Sequence, residues 1–96
     1  RVQSPRGACL AGLRVTDLVR PGVVTLATGA WYDPAEPGNP DSPCKHGNPN
    51  VLTLDIGSSA LAQAPSAQTA LVEIGGCDAP PPVTAMQLPP IRSPAV

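Results

Sequence analysis

Apolar and polar positions alternate along this chain only in short bursts, each cut off by Gly or Pro. Residues 1–7, RVQSPRG, read as the end of a strand running into a turn punctuated by Pro5 and Gly7. In ACLAGLRV (8–15), Leu13 and Val15 flank Arg14, the alternation of a strand with mixed faces. TDLVRPG follows, where Thr16 or Asp17 caps a single helical turn that Pro21 and Gly22 stop. VVTLAT (23–28) is the clearest predicted strand, apolar or β-branched throughout and entered from a Pro-Gly turn.

Residues 29–49, GAWYDPAEPGNPDSPCKHGNP, read as one long loop that contains Trp31 and Tyr32, the chain's two aromatics. A loop of this length in a small domain is usually functional or disordered, and aromatics at its start argue for packing or contact. NVLTLDIGSSALAQ (50–63) has a period intermediate between strand and helix; Asn50 is a candidate N-cap, and Ser58 or Ser59 caps a short turn reaching Gln63. AQTALVEI (67–74) predicts another strand, and the Pro-rich remainder an extended, irregular tail draped over a neighbouring domain. Short strands, Gly and Pro turns and a helical turn or two give a mainly β fold with short helices, of barrel-like type.

Composition narrows this. The 96 residues are 42% hydrophobic but contain no Phe, so the core is built from Val, Leu, Ile and Ala. With 14 Pro and 9 Gly, the chain buries little apolar area against an ordering cost of about 1–2 kcal/mol per residue. It reads as part of something larger, or as a domain that needs a partner surface. A net charge of −1 with only six Lys and Arg cannot assemble the basic face that nucleic acid requires. No apolar run is long enough to span a bilayer.

Catalytic sets are not visible. Cys9, Cys44 and Cys77 form no C-x-x-C, and Cys44 with His46 supplies two metal ligands where a site needs more. The bland expectation is free or buried thiols. Ser58 and Ser59 lack a nucleophile-elbow context, and no phosphate-binding glycine loop occurs. No catalytic residue and no metal ligand is assigned. What stands out is a run of neutral hydrogen-bonding side chains: His46, Asn48, Asn50, Thr53, Ser58, Ser59, Gln63 and Gln68. Amides present donor and acceptor together, which suits the edge of a pterin or purine. The same residues are also ordinary turn formers and caps, so both readings stand at this level.

The combination RPGVV, GAWYDP, HGNPNVLTLDIGSSALAQ and SAQTALVEI resembles the C-terminal part of bacterial molybdenum oxidoreductases of the dimethyl sulfoxide reductase family. It is most similar to the biotin sulfoxide and trimethylamine N-oxide reductase branches, over about residues 1–74 in unbroken order. The resemblance implies a six-stranded double-psi β-barrel, here partial, that closes over a bis(molybdopterin guanine dinucleotide) molybdenum cofactor held mainly by other domains. It implies a division into residues 1–75, the C-terminal part of a molybdopterin dinucleotide-binding domain, and a tail, 76–96. The parent would reduce a small-molecule S-oxide or N-oxide, in the cytoplasm or alternatively the periplasm.

By the same resemblance, Asn50, which opens N-x-L-T, hydrogen-bonds a pterin, as does Gln68. His46, Gly47 and Asn48 lie against the cofactor, and Trp31 and Tyr32 lie near it or pack a domain interface. The family's domain begins several dozen residues earlier, and its molybdenum-ligating serine lies in another domain. The chain is therefore expected to be a fragment without catalysis of its own, completed by the remaining domains of the reductase. The competing class is a stand-alone β binding or structural module with a Pro-rich tail and no catalysis, which predicts an independently folded monomer.

Overall fold

In the computed structural model, residues 1–54, 56–64 and 69–84 are described. Their regular structure is sparse. Strands β1 (Val2–Gln3), β2 (Ala8–Cys9) and β3 (Glu73–Ile74) form one open antiparallel sheet in the order β2-β1-β3. Val2 pairs with Cys9 on one side and Ile74 on the other, and Gln3 pairs with Ala8 and Glu73. Beyond β3, the Arg1 carbonyl accepts from Gly75 N–H at 2.9 Å, so the first residue of the chain is tied to the end of the last strand.

Cys44 extends this layer past β2. It bridges Cys9 in parallel and Pro34 in antiparallel sense. Leu10 N–H donates to the Cys44 carbonyl at 2.8 Å and Cys44 N–H to the Ala8 carbonyl at 3.0 Å. On the other side, Ala35 N–H donates to Pro43 O at 2.9 Å and Lys45 N–H to Asp33 O at 2.8 Å. The long loop is thus pinned at its base, while residues 36–42 hold their own shape. Asn39 caps that segment, accepting from Asp41 N–H through Oδ1 at 2.9 Å and donating to Glu36 Oε2 at 2.9 Å. Such local Asx bonds replace a sheet ladder where Pro forbids one.

The core is small. Cys9, Cys44 and Leu52 are its buried centre, with Val2, Leu26, Val51 and Val72 packed against it. No Phe is available to fill more space. Large apolar side chains stay outside: Leu13, Val15, Leu18, Leu61 and Leu71 are all exposed, Leu61 at 99% and Leu71 at 94%.

Several expected elements take another form. Residues 23–28 form no strand. Val23 and Val24 are half exposed, and of this run only Leu26 reaches the core. β-propensity expresses itself only where a neighbouring edge completes the ladder, and this run finds none among the described residues. Leu13 and Val15 likewise lie in exposed irregular chain, and β2 stops at Cys9. The helical turn after Thr16 is a bend in which Thr16 Oγ1 accepts from Leu18 N–H at 3.2 Å. The Pro21-Gly22 stop is a true turn: Val23 N–H donates to Arg20 O at 3.0 Å, with Gly22 at φ +78°.

Ser59 does cap a turn. Its Oγ accepts from Leu61 and Ala62 N–H at 3.3 and 2.8 Å, and Gln63 Nε2 returns to the Ser59 carbonyl at 3.3 Å. The strand expected over 67–74 survives in its described part as β3 alone. No helix among the described residues is long and apolar enough to cross a membrane.

Candidate cofactor-contact site

Asn48 is the residue that starts the short 3-10 helix Pro49–Val51. It is extended, at φ −70° and ψ 114°, and its Oδ1 accepts from Asn50 N–H at 2.9 Å. Pro49 occupies the first helical position, where its fixed φ favours the turn and its missing N–H costs nothing. The cap expected at Asn50 therefore falls two residues earlier. With Asn48 holding its backbone, Asn50 is exposed and its carboxamide makes no hydrogen bond among the described residues.

Both amides open onto one cleft of about 500 Å³. Its walls are the β1–β2 turn (Ser4, Arg6, Gly7), the aromatic ring of Tyr32, the tip of the long loop (Asp41, Ser42) and Asn48, Asn50 and Val51. Arg6 is the one cation and Asp41 the one carboxylate among these lining residues. The lining has the chemistry of recognition: two carboxamides, hydroxyls, a guanidinium and an aromatic ring, able to match a polar heterocycle on several edges.

Apart from Tyr32, none of the other expected contacts lines this cleft among the described residues. His46 follows Cys44 in the same loop; its Nδ1 is buried and has no hydrogen-bond partner among the described residues. A buried nitrogen left unpaired costs about 1–3 kcal/mol. Gly47 is buried at φ +73°, and a Cβ there would stand 3.2 Å from the Leu10 carbonyl oxygen. Its glycine identity is explained by backbone crowding, which lets the loop lie against residues 10 and 11. Trp31 is exposed and outside the cleft wall, whereas its neighbour Tyr32 lines it. Gln68 lies outside the described residues. Among those described, no three His, Cys, Asp or Glu side chains gather into a metal-binding group.

Ser4, Arg6 and Gly7 contribute to the site although the sequence marks them only as a turn. The signal that reveals them is the register Val2↔Cys9 and Gln3↔Ala8, which swings the turn onto the 3-10 helix.

Asp33 anchors the wall that carries Tyr32. Its buried carboxylate accepts from Thr84 N–H at 2.7 Å and Thr84 Oγ1 at 3.0 Å, with Lys45 Nζ 3.8 Å away. Its N–H points at the Cys44 sulfur, 3.5 Å away. Beneath, burial pushes the Cys9 thiol above its ordinary pKa, and Cys44 adds to the rise while the nearby N-terminus opposes it.

Residues 1–71 match the family described as Molydopterin dinucleotide binding domain. Trimethylamine-N-oxide reductase 1 of Escherichia coli K12 is 60% identical over 74 residues, 77% of this chain and 9% of that protein. Biotin sulfoxide reductase of Cereibacter sphaeroides is 58% identical over 74 residues, 77% of this chain and 10% of the relative. The dimethyl sulfoxide/trimethylamine N-oxide reductase of Rhodobacter capsulatus is 46% identical over 74 residues, again 77% of this chain and 9% of that protein. The chain thus spans about a tenth of the length of these relatives. No solved structure matches it at a significant level.

Proposed function

Because this chain belongs to the molydopterin dinucleotide binding domain family, we propose that it is the cofactor-covering terminal segment of a molybdenum enzyme that reduces S-oxides or N-oxides. The observation that carries the reading is the pair of carboxamides, Asn48 and Asn50, presented at one cleft by a proline-started turn, with the Asn50 amide making no hydrogen bond among the described residues. The donor set fits a pterin: a carboxamide can donate to a ring nitrogen or carbonyl and accept from a ring N–H at once. The buried, unpaired His46 Nδ1 in the adjoining loop supports a further polar contact there.

The cofactor we assign is bis(molybdopterin guanine dinucleotide) molybdenum. When bound, it supplies the two-electron oxygen-atom chemistry by which the oxide is reduced. This chain's own residues bind and orient. Asn50 pairs with a pterin edge, and Asn48 holds the backbone that aims it. Gln68 supplies a second amide to the same group. Tyr32 forms one wall of the cleft, against which a ring of the cofactor can lie. His46 hydrogen-bonds through Nδ1 at the boundary with the cofactor or the neighbouring domain, where Trp31 also packs.

The exposed Leu13, Val15, Leu18, Leu61 and Leu71 support a second part of the proposal. Residues 1–75 complete a double-psi β-barrel with strands supplied by the rest of the reductase, and residues 76–96 form its tail. Large apolar side chains left this exposed are what an interface with the missing strands would cover. The location proposed is cytoplasmic, with the periplasm as the alternative.

The test is molybdenum and pterin content of the parent reductase carrying Asn50→Ala. The reading expects a folded protein that loses cofactor on gel filtration. Full cofactor content with unchanged turnover would overturn it.

A further inference from the structure

Three successive carbonyls follow Asn50, and all three meet the same four-residue turn. The Val51 carbonyl oxygen lies so close to Gly7 that a Cβ on that glycine would stand 2.8 Å from it. The Leu52 carbonyl accepts from Ser4 Oγ at 2.9 Å. The Thr53 carbonyl accepts from Arg6 Nη1. The turn is itself held closed by Ser4: its N–H donates to Gly7 O at 2.8 Å, and its Oγ also accepts from Arg6 and Gly7 N–H at 3.2 and 3.4 Å. Ser4 is buried, so its hydroxyl has no water to substitute for these partners.

A turn that needed only to reverse the chain between β1 and β2 would not require a buried hydroxyl and a guanidinium aimed at a segment 48 and 47 residues away. Asn50 is fixed from the N-terminal side by Asn48 Oδ1 and from the C-terminal side by this grip. We propose that Ser4, Arg6 and Gly7 are positioning residues for Asn50: they fix the backbone of residues 51–53 so that the Asn50 carboxamide meets the cofactor at one angle. This rests on the cofactor role of Asn50 argued above. Removing the grip leaves Asn50 in place chemically but lets the turn sample other orientations, and the amide then meets the pterin only part of the time.

The experiment is a double-mutant cycle in the parent reductase, read as the rate at which molybdenum and pterin are lost on dilution. Ser4→Ala is expected to speed that loss roughly tenfold, because it removes the buried bond to the Leu52 carbonyl together with the acceptor for Arg6 and Gly7 N–H. Ser4→Thr, which keeps the hydroxyl, is expected to restore retention. In the Asn50→Ala background, Ser4→Ala should add nothing, because the residue it positions is gone. Should Ser4→Ala fail to fold, Arg6→Ala at an exposed side chain takes its place in the same cycle. Additive effects of the two substitutions, or no effect of Ser4→Ala and Arg6→Ala alongside a clear effect of Asn50→Ala, would overturn the positioning role alone. Wild-type retention in Asn50→Ala itself would overturn the cofactor role and the positioning role with it.

Discussion

Thr84 grips Asp33 twice, through its backbone N–H at 2.7 Å and its Oγ1 at 3.0 Å, across 51 residues of chain. The tail therefore does more than trail from β3. It crosses to the start of the long loop and shares a carboxylate with Lys45. Thr84→Val should cost about 1 kcal/mol by removing one of the two donors. Asp33→Ala should cost more, about 3 kcal/mol, because it strands a largely buried Lys45 as well. Urea melts of the folded protein check both, and limited proteolysis should cut the tail faster in each variant.

The two amides of the cleft separate by substitution. Asn48→Asp keeps a side-chain acceptor for Asn50 N–H and should leave stability nearly unchanged, whereas Asn48→Ala should cost about 1 kcal/mol. Asn50→Asp should leave the melting temperature alone yet weaken cofactor retention, since a carboxylate has no amide donor to offer. Thermal melts set beside pterin content distinguish the roles.

Gly7→Ala and Gly47→Ala should both destabilise, for different reasons. At Gly7 a methyl meets a backbone oxygen at 2.8 Å, so the turn or the 3-10 helix must shift. At Gly47 the contact is looser, 3.2 Å, but φ is +73°, and the backbone conformation itself adds about 1 kcal/mol. Loss of cofactor should accompany the Gly7 change more than the Gly47 change. Equal losses in the two variants would count against the turn's grip.

Thiol chemistry should divide the cysteines. Cys77 is exposed and should react promptly with a maleimide, while Cys9 and Cys44 are buried and should react only on unfolding.

The Cys9 shift also sets a pH dependence. Its folded pKa lies above the ordinary 9.0, so the folded chain keeps the thiol proton more firmly than the unfolded chain does. This contribution to stability is complete below pH 9.0 and declines as pH rises through the folded pKa. Cys9→Ala should flatten that alkaline decline in urea melts.

Much of the site was legible in the amino-acid sequence because it is local. Asn48, Pro49 and Asn50 are neighbours, and a Pro flanked by amides specifies a turn whatever surrounds it; the cap expected at Asn50 falls at Asn48, and Trp31 lies outside the cleft wall. Ser59 was legible for the same reason. Ser4 and Arg6 were not, because their partners Leu52 and Thr53 lie far along the chain and a carbonyl leaves no trace in residue type. The strand over 23–28 failed for the converse reason: Val23, Val24 and Thr25 have the stiffness of a strand, but a strand is a relation between two edges. The mainly β, loop-rich character with short helical turns was readable from Gly and Pro spacing, whereas the order β2-β1-β3 depends on pairing of residues 2–3 with residues 73–74, some seventy positions along the chain.

The bonds at Ala35–Pro43 and Lys45–Asp33 close the long loop at its base, so residues 36–42 behave as an exchangeable cassette. Lengthening a closed loop is entropically mild, about 0.6 kcal/mol per doubling. Pro40, Asp41 and Ser42 at its tip nonetheless line the cleft. Evolution or a designer can thus rewrite one wall of the pocket without disturbing Cys44, the strands beside it or the amides opposite, and ligand preference becomes separable from foldability.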